Sequence, residues 1–318
     1  MPSERSRSLV RPLEPPLKWA GGKRWLVSTL RIIYEQYNGR RLVEPFTGGM
    51  AVALGLMPEA AYLSDINPHL INFYRYLQEG LIVGDRVREL MDALPEAREE
   101  SFYEARKLFN QVIADGSDSR LAAELFYYLN RTCFNGLCRF NNKGEFNVPF
   151  GRYKTINYMK DFTPYKKLLA SRSWDIRTGS YESIEIQEND FVYADPPYHV
   201  EFTKYAKEDF TLIHQEELAD WLSRLEVPVV ASNQATERMK ALYQSRGFHI
   251  ETLPAPRRIS CTGDRTPAEE MLALKNIAPA LIEKATEHIA FTKRPPREER
   301  KESLLPLAPA KSLQADAE

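Results

Sequence analysis

Arg41-Leu42-Val43-Glu44, then Pro45-Phe46-Thr47-Gly48-Gly49-Met50, then Ala51-Val52-Ala53-Leu54-Gly55-Leu56, reads as a short strand, a glycine turn and a helix. A second strand, Ala61-Tyr62-Leu63-Ser64, follows and stops at Asp65-Ile66-Asn67-Pro68. Glycines between a strand and a helix let the backbone come close to a ligand lying over the helix N-terminus. The acid at the tip of the next strand stands close to the spacing at which such a group meets ribose hydroxyls in nucleotide-binding α/β folds. The combination predicts a doubly wound α/β sheet with a site for a nucleoside-containing cofactor. It is not the dinucleotide fingerprint, because Met50 and Ala53 occupy positions where two glycines are needed, which argues against nicotinamide cofactors.

Phe191-Val192-Tyr193-Ala194 is a further strand, apolar throughout as buried parallel strands are, and it ends at Asp195-Pro196-Pro197-Tyr198. Open α/β sheets carry their chemistry at the carboxyl ends of strands. Two prolines fix the turn and remove two N–H donors, so carbonyl acceptors remain beside an aromatic ring. The set suits a flat, weakly nucleophilic amino group: Asp195 and the Pro196 carbonyl accept its two hydrogens while Tyr198 stacks on its ring. Taken alone, the same four residues also describe an ordinary rigid turn.

Upstream lies Pro16-Leu17-Lys18-Trp19-Ala20-Gly21-Gly22-Lys23-Arg24. A phosphate-binding loop needs glycine where Leu17 stands and Ser or Thr where Arg24 stands, so a nucleotide triphosphatase is excluded. The segment otherwise reads as a basic linker into the amphipathic run Trp25 to Tyr37.

Between Asn130 and Arg172 the chain carries nine basic residues against only Glu145 and Asp161, with Phe134, Phe140, Phe146, Phe150, Tyr153 and Tyr158 among them. Such a stretch can neutralise phosphates and carry side chains to base edges, or it can be a solvated loop with packed aromatics. Composition elsewhere is neutral: 318 residues, 43% hydrophobic and 27% charged, with a formal net charge of -1, describe a globular protein with room for an α/β core and a smaller second module. No apolar run reaches membrane-spanning length and the start lacks a signal-peptide core, so a cytoplasmic protein is expected. Cys133, Cys138 and Cys261 give neither a disulfide framework nor zinc spacing, and no metal is expected.

Lys18-Trp19-Ala20-Gly21-Gly22-Lys23, Glu44-Pro45-Phe46-Thr47-Gly48-Gly49, Ser64-Asp65-Ile66-Asn67 and Asp195-Pro196-Pro197-Tyr198, in this order, resemble the motifs of the Dam-type family of adenine-N6 DNA methyltransferases. The resemblance runs from about Leu17 to about Asn276, and four separate motifs agree. The family often has another glycine at Met50, a departure expected to affect how closely the turn packs rather than activity. The resemblance implies a class I methyltransferase-like sheet with an inserted, mostly helical target-recognition domain carrying a β-hairpin. It implies S-adenosylmethionine as cofactor, with Trp19 and Lys23 at the amino-terminal contact, Phe46, Gly48 and Gly49 in the glycine turn, Asp65 on the ribose hydroxyls and Asp195 between cofactor and base. Asp195, Pro196 and Tyr198 are the implied catalytic residues, and His199 to Asp209 resembles the segment closing over the flipped base.

Tyr128-Leu129-Asn130-Arg131, Asn135-Gly136-Leu137-Cys138-Arg139-Phe140-Asn141 and Gly144 to Lys154 resemble the recognition hairpin of family members that read GATC. By that resemblance Asn135, Leu137, Arg139 and Pro149 contact bases, Tyr153 helps open or steady the duplex, and Lys18 reaches the outer guanine. The chemistry agrees, since arginine and lysine suit guanine's major-groove acceptors and apolar side chains suit a thymine methyl. Lys166 and Lys167, without an assigned base, are expected to hold phosphate.

The expected organisation is a discontinuous catalytic domain, 1–67 and 173–291, a recognition domain, 68–172, and a flexible tail, 292–318. Helices are predicted over Lys23 to Tyr37, Met50 to Met57, Leu70 to Leu77, Phe102 to Ile113, Leu121 to Arg131, Ile213 to Leu225 and Thr236 to Arg246. The remaining strands are predicted over Trp174 to Arg177, Val227 to Ala231, Phe248 to Glu251 and Met271 to Leu274. The expected substrate is adenine swung out of double-stranded DNA and methylated directly, without a cysteine nucleophile, by a monomer. Whether a cognate restriction endonuclease accompanies it is not legible. Two alternatives stay open: methylation of RNA adenine N6 or of cytosine N4, and an inactive DNA-binding regulator on the same scaffold.

Overall fold

Seven segments form one sheet: β1 (Arg41–Glu44), β2 (Ala60–Asp65), β3 (Ser173–Thr178), β4 (Asp190–Ala194), β5 (Val229–Gln234), β6 (His249–Ala255) and β7 (Ala268–Lys275), in the order β3-β2-β1-β4-β5-β7-β6. The computed structural model describes residues 12–82, 85–93, 95–158, 161–198, 210–255 and 268–292. Pairing is parallel from β3 through β5, and β7 runs antiparallel to both β5 and β6. This is the doubly wound, class I methyltransferase-like sheet predicted from the sequence. β4 is buried along its whole length, and successive strand residues divide between two cores: Leu42 and Phe191 face one, Val43 and Val192 the other. Such strands read as continuous apolar runs because both faces are covered.

The helices are α1 (Val27–Tyr34), α2 (Ala51–Leu56), α3 (Pro68–Glu79), α4 (Asp85–Met91), α5 (Arg98–Asp115), α6 (Ser119–Thr132), α7 (Thr163–Ala170), α8 (Leu212–Ser223), α9 (Glu237–Gln244) and α10 (Pro279–Thr292). α1 is shorter than the predicted Lys23 to Tyr37 because tight 3-10 turns, Arg24–Leu26 and Glu35–Tyr37, flank it. α3 begins where Asn67 caps it, its side chain accepting from His69 and Leu70, with Pro68 in the first turn. Asp118 caps α6 in the same way through Leu121. α4 and α10 were not predicted; α7 is the helix-like run that carries Lys166 and Lys167. α10 packs against α1 through Leu281, Ala285 and Ile289, so ordered structure continues past Asn276, where the sequence resemblance stops.

α6 is the hub of the insert: it packs on α3 and α5, with Phe73 stacked on Tyr127 at 6.0 Å. The segment after it turns back on itself as the predicted hairpin does, but it holds only two isolated bridges, Cys133 with Phe150 and Phe140 with Phe146. Side chains supply what the ladder lacks. Asn110 of α5 binds both the N–H and the C=O of Phe146, at 2.8 and 3.2 Å, and His69, Phe109, Phe140 and Phe146 pack ring on ring.

β5 starts after Pro228, whose missing N–H suits the entry to a strand, and runs on to Gln234 rather than stopping at Ala231. Ser232 and Asn233 are therefore strand residues. No helix among the described residues is long and apolar enough to cross a membrane. The strand order reverses between β1 and β4, and an open sheet has its crevice at the carboxyl ends of strands at such a point. Glu44, Asp65 and Asp195 all stand at that edge.

Candidate functional site

β4 delivers Asp195 to the edge of the sheet, and its two carboxylate oxygens have separate partners. Oδ2 lies 3.0 Å from the Lys23 ammonium, and Oδ1 accepts from the Ser232 hydroxyl at 2.8 Å. Lys23 is only 3% exposed; its ammonium also donates to the Gly21 carbonyl at 2.7 Å, faces Glu270 at 3.7 Å and sits 4.9 Å from the centre of the Tyr198 ring. A buried lysine persists as a cation only when paired, and here two carboxylates and a carbonyl surround it. Burial pushes the Glu270 carboxyl up, opposed by Lys23, and burial with the neighbouring carboxylates of Asp195 and Glu270 pushes the Tyr198 phenol well above its usual value.

The two prolines divide their carbonyls. That of Pro197 accepts from the buried Gln215 side chain at 2.8 Å, and Asn233 in turn donates to Gln215 at 2.8 Å. Among the described residues no hydrogen bond is made to the Pro196 carbonyl, an acceptor that suits an amine hydrogen. Asp195, Pro196 and Tyr198 thus come together with Lys23, which the resemblance assigned to the cofactor contact rather than to Asp195. Ser232, Gln215, Asn233 and Glu270 were not anticipated.

In the glycine turn the close approach is to a side chain. A Cβ on Gly48 would lie 2.7 Å from Trp19 Nε1, and one on Gly49 would lie 2.9 Å from Trp19 Cβ. Gly48 also has φ of 45°, in the region glycine tolerates best. The glycines therefore seat Trp19 against the turn, a close approach by a side chain that the sequence reading did not include. Asp65 reaches back to the same turn: Oδ2 accepts from the Gly48 N–H and Oδ1 from Asn67 N–H, each at 3.0 Å, and burial pushes its carboxyl up. Phe46 packs beside Tyr181 and Phe210, at 5.8 Å from each ring.

Met50 takes the left-handed conformation, φ 57°, that the missing glycine would adopt freely. The conformation costs about 1–2 kcal/mol, and full burial of the methionine side chain contributes about 1.5–3 kcal/mol in return. Packing decides the position.

Glu44 is a further residue the sequence reading left unassigned. It is 2% exposed at the tip of β1, and among the described residues its Oε1 has no hydrogen-bond partner. Burial pushes its carboxyl up to about 8, opposed by the Ala53 N–H and reinforced by Asp195. An acceptor left unpaired in a buried site fits a cationic ligand, and Glu44, Asp65 and Asp195 together suit a cofactor bearing a sulfonium, an ammonium and a ribose diol. Ile66, 77% exposed directly after Asp65, gives the same edge an apolar face. Among the described residues no group of His, Cys, Asp and Glu is gathered for a metal.

Lys18 joins this edge to the insert. Gly136, φ 64°, has no room for a Cβ, which would lie 2.3 Å from Lys18 Cβ. The Lys18 ammonium donates to the Arg131 carbonyl at 3.0 Å and sits 3.8 Å over the Tyr153 ring, whose hydroxyl donates to Cys133 O at 3.1 Å. Burial, then the Arg131 charge, lower its pKa to about 8. Asn135 takes φ 54° beside it, Leu137 is half-buried, and Arg139 and Pro149 are exposed. Arg139 is steadied by Asn147 across the hairpin, Nε to Oδ1 at 2.8 Å. Phe134 is 43% exposed at the same surface.

Lys166 packs over Gly80, at the far end of α3 from Asn67, about 18 Å along the helix axis. The carbon stem of Lys166 thus covers the C-terminal end of α3. Burial pushes the thiols of Cys133 and Cys138 up to about 12, so neither is a nucleophile at neutral pH. His199 to Asp209, Cys261 and 293–318 lie outside the described residues.

Comparison with known proteins bears on the same residues. The family profile described as D12 class N6 adenine-specific DNA methyltransferase matches residues 19–259. The chain is 36% identical over 269 residues to a DNA adenine methylase of Vibrio cholerae, covering 81% of this chain and 94% of the relative. It is 36% identical over 275 residues to a DNA adenine methylase of Escherichia coli, covering 81% and 94%. A type II methyltransferase of Methanocaldococcus jannaschii is 33% identical over 282 residues, covering 80% and 95%.

Proposed function

The chain belongs to the D12 class of N6 adenine-specific DNA methyltransferases, and from that premise we propose that it methylates the adenine of GATC in double-stranded DNA with S-adenosylmethionine as the donor. The observation that carries the reading is Asp195 at the β4 tip, held on both oxygens, next to a Pro196 carbonyl to which none of the described residues donates. S-adenosylmethionine, when bound, supplies an electrophilic methyl group on sulfur. The other contributions are those of the chain.

Asp195 and the Pro196 carbonyl accept the two amine hydrogens, which favours a pyramidal nitrogen with its lone pair aimed at the donor. Tyr198 stacks on the target ring, and alignment of the two reactants is the main catalytic contribution. A base inside a duplex must first be flipped out; Tyr153 and Phe134, the latter exposed beside the base-reading residues, are the side chains we assign to steadying the opened helix. Trp19, Lys23, Phe46, Gly48, Gly49 and Asp65 hold the cofactor. Asn135, Leu137, Arg139, Pro149 and Lys18 read bases. In this reading 1–67 and 173–291 form the catalytic domain, 68–172 the recognition domain and 292–318 a tail, and the enzyme works as a cytoplasmic monomer without a metal.

Sequencing of modified bases in DNA from cells expressing the chain tests it. N6-methyladenine confined to GATC is the expected result. Methylation in another context rejects GATC, and methylation on cytosine rejects the assigned substrate.

A further inference from the structure

Ser232 is fully buried and occupies the strand next to β4, where Ala194 pairs with Ala231 so that Asp195 and Ser232 leave the pair side by side. Its hydroxyl oxygen is 2.8 Å from Asp195 Oδ1 and 2.9 Å from the hydroxyl of Tyr193, itself buried. A serine hydroxyl has one proton and an ionised carboxylate has none, so the direction is fixed: Tyr193 donates to Ser232 and Ser232 donates to Asp195. The terminal torsion of an aspartate is broad when nothing holds it. Here Lys23 takes one oxygen from the amino-terminal segment and Ser232 takes the other from β5. Only with both in place is the plane of the carboxylate set.

We propose that Ser232 is a positioning residue for methyl transfer: held by Tyr193, it fixes the carboxylate of Asp195 so that a remaining lone pair faces the acceptor amine. The inference rests on the reading that Asp195 binds that amine. Among the described residues the other charged or titratable groups around Asp195 are Lys23, Glu44, Glu270, Tyr193 and Tyr198. Lys23 still holds Oδ2 when Ser232 is lost, but Oδ1 is released and the carboxylate becomes free to turn. The effect therefore falls on the chemical step rather than on binding.

Steady-state methyl transfer to a GATC duplex by the full chain, with kcat and KM for DNA and for S-adenosylmethionine, tests this in Ser232→Ala, Ser232→Thr and Tyr193→Phe. Ser232→Ala is expected to lower kcat about 10- to 100-fold with both KM values within about three-fold of wild type. Ser232→Thr, which keeps the hydroxyl, retains most activity, and Tyr193→Phe loses a smaller factor of kcat in the same direction. A folded Ser232→Ala enzyme with wild-type kcat overturns the proposal, as does a loss confined to cofactor KM. Should Ser232→Ala not fold, Tyr193→Phe decides, and wild-type kcat there overturns it. A wild-type chain inert toward adenine sinks the functional reading and the inference with it; an active wild type with an indifferent Ser232→Ala sinks the inference alone.

Discussion

Asn130 brackets Lys18: its Oδ1 accepts from the Lys18 N–H and its Nδ2 donates to the Lys18 C=O, both at 2.8 Å. The two residues are 112 positions apart in the chain. The bracket locks the segment that carries Trp19 and Lys23 onto the end of α6, where the recognition surface begins, so the cofactor side and the DNA side share one anchor.

Replacing Asn130 by Ala leaves a part-buried N–H and C=O of Lys18 without these bonds, each worth up to about 1–3 kcal/mol. The expected outcome is a destabilised enzyme that also discriminates GATC from singly substituted sites less well. Urea unfolding together with methylation rates on both kinds of site checks this; unchanged stability and discrimination contradict the anchor.

Glu44 makes stability depend on pH. Its carboxyl has a folded pKa of about 8 against an ordinary value of 4.5, so between those pH values the folded chain holds a proton that the unfolded chain has released. Stability from this group is fully present below about 4.5 and is lost as pH rises through about 8. Glu44→Gln cannot ionise, so its stability relative to wild type should improve from pH 5 to pH 9. Urea midpoints at pH 5, 7 and 9 measure it, and a constant difference rejects the raised pKa.

Arg139 is expected to read one base pair. Its fork is exposed and steadied by Asn147. Arg139→Ala should lose about 1–3 kcal/mol of discrimination at a single position. Methylation rates on GATC and each singly substituted site check this. Equal slowing on every site would show a phosphate contact instead.

The strands and their tips were legible because a buried parallel strand must be apolar and must stop where the chemistry begins; Asp65 and Asp195 were both found this way. What escaped depends on partners far apart in sequence. Nothing local in Val229-Val230-Ala231-Ser232-Asn233-Gln234 tells that Ser232 binds Asp195 or that Asn233 supports Gln215. The glycines at 48 and 49 were correctly read as needing close approach, but the side chain that approaches, Trp19, comes from another segment. Nothing local in Thr163 to Ala170 tells that Lys166 lies over Gly80 at the end of α3. α10 was missed because its apolar residues, Leu281, Ala285 and Ile289, are spaced among charges and follow the last recognisable motif.

The most direct test of the central claim is transfer of labelled methyl from S-adenosylmethionine to a GATC duplex, with the product base identified, for the wild type and a folded Asp195→Ala variant. The account expects N6-methyladenine from the wild type and a rate lowered by at least about 10³-fold in the variant, since both amine contacts depend on the placement of that turn. Methyl transfer by Asp195→Ala at a rate near that of the wild type would contradict it.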